Sequence, residues 1–267
     1  MQLDKITKVG RYFLAIPMIV FGIQHFIYAE FVMGLVPTWI PGGLFWTYFS
    51  GAALVAAGVG IFFNVLSRMA ATLLGAMIFV WVIVLHIPRV FANPGDSNEF
   101  INIFDAVMMG GGAFIFAQSR SGKSYLEKIT SMGAKVSPFL IAISLMVFGI
   151  EHLIHGKMVF IVGAASYPVP GASFLTYFSG FIFILAAIGI LFGKRSSSIA
   201  AFVGIFIFLI TLLFYLPQII TSVFWAHALS TMLKGIAMSG SALIYSRVRS
   251  AQQREIFESQ IIAHHNR

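Results

Sequence analysis

Eight apolar runs fill this chain, at approximately 12–30, 45–65, 69–91, 100–118, 138–156, 174–193, 198–220 and 224–245. A hydrocarbon core ~30 Å thick asks about 20 such residues of a crossing helix, which is the length of these runs. The apolar positions are continuous and do not alternate, and the runs are too long for single strands, which disfavours a strand barrel. Helices also satisfy their own backbone hydrogen bonds in lipid. The pattern predicts an all-α polytopic membrane protein with eight transmembrane helices.

The polar and small residues that punctuate the runs repeat. Phe21-Gly22-Ile23-Gln24-His25 returns as Phe148-Gly149-Ile150-Glu151-His152, and Thr47-Tyr48-Phe49-Ser50-Gly51 returns unchanged at 176–180. The offset is 127 residues at the first pair and 129 at the second, and Pro41-Gly42 with Pro170-Gly171 and Pro88 with Pro217 keep 129. A tandem duplication is therefore expected, with residues 1–120 as the first four-helix repeat and 137–246 as the second. Residues 121–136 read as a linker and 247–267 as a tail able to form a short amphipathic surface helix. Four spans per copy is an even number, so the copies should be parallel repeats related by an axis along the membrane normal. A duplicated first span also argues against a cleaved leader at the N-terminus.

Composition strengthens the class. The chain is 59% hydrophobic and 10% charged, with mean hydropathy +0.92, far from the roughly one-quarter charged residues of soluble domains. Lys5, Lys8, Arg11, Arg68, Arg120, Lys123, Lys128, Lys135, Lys194 and Arg195 all fall on the side of the termini, whereas Arg89 and Lys157 fall in the opposite loops. The positive-inside rule then places both termini in the cytoplasm and the protein in the cell inner membrane. The net charge of +8 reflects topology, and a nucleic-acid partner is not expected because no long basic segment exists. With no cysteine, disulfides, thiolate metal sites and iron–sulfur clusters are excluded.

Ionisable residues inside spans are costly and mark functional candidates. Gln24 and His25 lie near the outer end of the first span, His86 near that of the third, and Glu151, His152 and His155 at that of the fifth; His227 opens the eighth. Tyr215 stands where His86 does in the other copy. Gln24, His25, His86, Glu151, His152, Tyr215 and His227 are the candidates for lining an outward pocket. The duplicated histidine equally suits packing between helices. Deeper lie Asp105 and Lys234, separated by the same 129 residues. A pseudo-twofold axis would bring this acid and base face to face, with Glu151 a competing partner for the lysine. Such a pair could serve transport or simply lock the halves together.

Other chemistries find little support. Bis-histidine haem through His25 and His86 is disfavoured because Tyr215 breaks the pattern in the second copy. No metal site is expected, since no Glu-x-x-His pair recurs, and no nucleophile motif is present. Ser121-Gly122-Lys123-Ser124 lacks the glycine spacing of a phosphate loop. The outer loop Val36-Pro37-Thr38-Trp39-Ile40-Pro41, with its counterpart Tyr167-Pro168-Val169-Pro170, reads as an interfacial anchor or a lid.

Gly22-Ile23-Gln24-His25-Phe26, the Val-Pro-Thr-Trp-Ile-Pro loop at 36–41, the Tyr-Phe-Ser-Gly start of the second span and Arg68-Met69-Ala70-Ala71 together resemble the DoxX-like family. Members are typically single four-helix membrane modules, so the resemblance implies a tandem fusion of two. It also implies a membrane subunit of a redox or quinone-linked system, and a redox partner subunit beside the lipid bilayer. It supplies no catalytic residues, and the second copy departs from the loop pattern. Three readings stay open. In the first, a quinone headgroup sits in an outer pocket between His25 and His86, with Glu151, His152 and Lys234 for proton transfer. The second is a carrier of protons or a small solute working around Asp105 and Lys234. The third is a scaffold in which the polar residues are glue. Whether the chain is an enzyme is left open, although no electron-carrying site argues for autonomous catalysis.

Overall fold

The computed structural model describes residues 5–120, 125–156, 171–221 and 225–265, and the described residues are helical and contain no strand. In chain order the helices are α1 (Lys5–Ile27), α2 (Ala29–Met33), α3 (Gly43–Phe63), α4 (Ser67–Trp81), α5 (Ile87–Ala92) and α6 (Ser97–Gln118). They continue as α7 (Glu127–Ile154), α8 (Ala172–Phe192), α9 (Ser196–Thr221) and α10 (Trp225–His265). A π-turn, Val82–His86, joins α4 to α5. Seven stretches are long and apolar enough to cross a membrane: Lys8–Ile27, Gly43–Phe63, Ser67–Ala92, Ser97–Gln118, Glu127–Ile154, Ser173–Phe192 and Ser196–Thr221. The run expected at 224–245 belongs to α10, which carries Lys234 among Ser230, Thr231, Ser239 and Ser241 and is not one of the seven.

Local chemistry sets the helix ends. Gly42 and Gly171 precede α3 and α8 with φ of +76° and +71°, a backbone that glycine adopts without penalty. Asp96 caps α6 by accepting a hydrogen bond from the Asn98 backbone N–H at 2.9 Å. Pro88 has no N–H to offer the preceding turn, and the π-turn lies immediately ahead of it. Pro217 holds the matching sequence position inside an uninterrupted α9.

Two boundaries differ from expectation. Helix α7 begins at Glu127, inside the segment read as a linker. Helix α10 runs from the apolar stretch expected at 224–245 through the tail to His265 without a break. Its 41 residues make it about 60 Å long at 1.5 Å per residue, twice the hydrocarbon thickness. Residues 157–170, with Lys157 and the loop counterpart Tyr167–Pro170, and Ser121–Ser124 lie outside the described residues.

The bundle is apolar outside and small or weakly polar inside. Phe31, Phe45, Phe181, Phe192, Leu209 and Ile220 are exposed, while Thr47, Thr72, Thr130, Ser137, Ser144 and Ser239 are buried. That inversion suits lipid, where small residues let backbones approach and hydroxyls bond neighbouring helices. Ser144 donates to the Phe104 carbonyl at 3.0 Å, Ser239 to that of Gly204 at 2.7 Å, and the Thr72 and Thr130 hydroxyls meet at 2.7 Å. Within each half, α1 packs on α3 and α7 on α8, α3 on α4 and α8 on α9, α4 on α6 and α9 on α10. Between halves, α1 packs on α10, α7 on α6, and α6 on α10. Helix α6 is the most enclosed, with every residue from Asp105 to Ala117 buried.

Candidate functional site

The duplicated segments meet each other, once in each half. Where α1 crosses α3, a Cβ on Gly22 would lie 2.6 Å from the Gly51 carbonyl oxygen; where α7 crosses α8, one on Gly149 would lie 2.7 Å from that of Gly180. His25 and His152 flank these crossings, and each places Nδ1 2.7 Å from the carbonyl four residues earlier, at Phe21 and Phe148. With that carbonyl as the acceptor, Nδ1 carries the proton and Nε2 is left as the free nitrogen. The His152 ring also meets Phe183 edge-on at 5.5 Å.

A separate polar cluster gathers on α5, α6 and α10. Lys234 Nζ donates to Asn102 Oδ1 at 2.6 Å and pairs with Asp105 Oδ2 at 3.1 Å. Six residues before Asp105 on the same helix, Glu99 receives the fork of the Arg89 guanidinium, whose Nε donates at 2.9 Å and whose Nη2 closes the second prong. Glu99, Asn102 and Asp105 recur at every third residue and so share one face of α6. His86, on the π-turn, lies within electrostatic reach of Lys234, Glu99, Arg89 and Asp105, and its Nδ1 is buried without a hydrogen-bond partner among the described residues. Tyr215 on α9 lies within reach of Asp105. One turn before Lys234 on α10, Ser230 exchanges hydrogen bonds with the Gln24 amide at 3.2–3.3 Å, tying α1 to the same stripe.

Burial within this cluster is uneven. Asp105 and Glu99 are each 10% exposed at the side chain, Lys234 31%. Lys234 stands nine residues into α10 and Asp105 eight into α6, or about 12–14 Å along each axis. A lysine ammonium facing hydrocarbon at that depth would be costly, and Asn102 and Asp105 supply its polar contacts.

The candidates thus fall into groups. His86, Asp105, Lys234 and Tyr215 are brought together, and Gln24 joins them through Ser230. His25 and His152 sit at the glycine crossings, and the segment bearing His86 packs on α6 and α4, not on α1. Glu151 bonds His155 at 2.6 Å, leaving Asp105 as the partner of Lys234. His227 is exposed. Glu99, Asn102 and Ser230 were not singled out from the sequence; the three-residue spacing of the first two with Asp105 was the available signal. Among the described residues no group of histidines and carboxylates could hold a metal ion. Two cavities lie nearer the basic end. One of 250 Å³ is bordered by Gln118, Pro138, Tyr245 and Arg249, and an apolar one of 660 Å³ lies between α3 and α4 against Phe49, Gly60 and Met69.

Residues 14–99 match the family model of a domain of unknown function, DUF8561. It implies no activity. The match takes in His25, His86, Arg89 and Glu99 and stops short of Asn102, Asp105 and Lys234. No curated protein and no solved structure matches the chain.

Proposed function

We propose that this chain is an eight-span inner-membrane carrier of protons or of a small charged solute, built from two parallel four-helix repeats with both termini cytoplasmic. The arrangement of neighbours supports the repeat. Exchanging α1, α3, α4 and α6 for α7, α8, α9 and α10 leaves the main set of packed pairs unchanged. The basic residues of the loops support the orientation.

The observation that carries the functional reading is the Asp105–Lys234 pair, held between the repeats with the lysine 31% exposed. A pair that exchanges a proton or a solute must be reached, and this lysine is not enclosed. The π-turn adds to this. Helix interruptions at substrate depth are a recurring device of carriers, and this one presents His86 to the cluster. The test is flux into vesicles holding a trapped pH dye under an imposed membrane potential. Protein-dependent flux is expected to vanish in Asp105→Asn and to persist in Lys128→Gln. Absence of flux in the native chain, or full flux in Asp105→Asn, overturns the reading.

A membrane subunit of a quinone-linked system is the second reading, supported by the DoxX-like motifs. The observation favouring it is the unpartnered His86 Nδ1 near the same carboxylate as Tyr215. A ring carbonyl would satisfy that nitrogen. Stoichiometric quinone in lipid extracts of the purified protein would move the weight to this reading, and its absence from them would remove it.

A further inference from the structure

Two guanidiniums share the basic end of the bundle, and among the described residues neither is paired with an acid. Arg11, on the second turn of α1, is 8% exposed. Its Nη2 donates to the Tyr12 hydroxyl at 2.9 Å, and its Nε is buried without a partner among the described residues. Arg120 follows the last residue of α6 by two positions. Its Nε is likewise buried and unpartnered, and its guanidinium carbon lies 5.9 Å from the Phe116 ring centre. Glu127, the first acid in sequence after Arg120, is held by Arg68.

Buried charges are ordinarily paired, because removing an ion from water costs more than packing returns. The carbonyl end of α6 offsets part of the charge on Arg120. Arg11 sits on the second turn of α1, and its guanidinium carbon lies 4.7 Å from the Tyr12 ring centre. The Arg120 guanidinium is pushed below its ordinary pKa by burial and then by the charge of Arg11, as expected of a pair from which a counter-charge is missing. Both residues sit at the ends of spans, Arg11 just inside Lys8–Ile27 and Arg120 just beyond Ser97–Gln118, the level at which lipid phosphates lie.

We infer that Arg11 and Arg120 form a binding site for one phosphate-type anion, either the headgroup of an anionic lipid or free phosphate. Guanidiniums present a planar fork that matches two phosphate oxygens at once, a geometry lysine lacks. The site belongs to the first half alone. At the 127-residue offset Arg120 corresponds to Arg247, but Pro138 stands in the place of Arg11, so one anion per chain is the expected stoichiometry.

The experiment is native mass spectrometry of the full chain in neutral detergent, titrated with dioctanoyl phosphatidylglycerol, dioctanoyl phosphatidylcholine or inorganic phosphate. One phosphatidylglycerol or one phosphate retained per chain is expected, and which of the two is retained identifies the source. Arg120→Gln should weaken that binding about tenfold or more, the loss of a charge-assisted fork. Arg120→Lys should weaken it nearly as much, and Lys128→Gln should leave it unchanged. Arg120 is the primary variant because it is only half-buried, and thermal unfolding in detergent shows that the variant is folded; Arg11→Gln is the second. Binding unaltered in Arg120→Gln and Arg11→Gln, or no retained anion in any titration, overturns the inference.

Discussion

Asp105 and Lys234 meet at 3.1 Å across 129 residues of sequence, and Asn102 takes a second proton of the same ammonium. Removing one member leaves the other charged and poorly solvated. Breaking a fully buried pair costs about 3–5 kcal/mol, and the partial exposure of Lys234 lowers the expected cost of Asp105→Asn to about 2 kcal/mol. The double variant Asp105→Asn/Lys234→Met removes both charges and should regain most of that loss, read as thermal unfolding in detergent. If the pair only locks the halves, flux returns with stability. The carrier reading requires that stability return while flux stays absent.

The crossing of Gly22 with Gly51 and its copy at Gly149 and Gly180 make a matched test of helix packing. A methyl group on Gly22 would sit 2.6 Å from a backbone oxygen, and one on Gly149 would sit 2.7 Å from its equivalent. Both Gly22→Ala and Gly149→Ala should lower the unfolding temperature, each by the equivalent of about 1–3 kcal/mol, the usual cost of overpacking. Gly95→Ala, which meets nothing within 4 Å, is the control. Unchanged unfolding in both variants would show that α1 and α3 do not cross at these residues.

Much of this arrangement could be read before any coordinates, and the reasons differ by residue. Continuous apolar runs located the helices because length in lipid is set by thickness. A fixed repeat offset put Asp105 and Lys234 at equivalent positions. Glu99 carries no sequence signal because it lies one residue outside the apolar run beginning at 100, and Arg89 reads as a loop residue; their pairing needs the turn at Pro94-Gly95 to fold α5 back on α6. The π-turn has no hydropathy signal, since winding one turn wider changes no residue type. The continuity of α10 past residue 246 was hidden by the fall in hydropathy there. Yet no glycine or proline follows Gly240 within that helix, and Arg, Gln, Glu and Ala are good helix formers.

Adjacent glycines on α6 should behave oppositely. A Cβ on Gly112 would strike Ser241, 2.1 Å from its Oγ and 2.8 Å from its Cα, where α6 presses on α10. On Gly111 the nearest atoms are 3.6 Å away, an ordinary contact. Gly111→Ala should therefore be neutral or stabilise by up to about 1 kcal/mol through helix propensity. Gly112→Ala should destabilise by about 2 kcal/mol or more, because a backbone atom cannot turn aside. Similar unfolding temperatures for the two variants would contradict the closeness of α6 and α10.

His86 separates structural from working polarity most cleanly. Its Nδ1 is buried with no partner among the described residues, so the folded state bears the full desolvation cost of that atom, about 1–3 kcal/mol. His86→Leu deletes the atom and keeps an apolar side chain of comparable size in the turn. Stability in detergent should stay level or rise by about 1 kcal/mol. Activity should move the other way. In the flux assay His86→Leu is expected to slow transport severalfold, because the group facing Lys234, Asp105 and Glu99 can no longer take or pass a proton. Reintroducing a ring nitrogen elsewhere on the cluster, as in Tyr215→His, tests the same point, since position 215 is the sequence counterpart of 86. A His86→Leu variant that is more stable and fully active would assign this nitrogen no part in transport, and the cluster would then act through Asp105 and Lys234 alone.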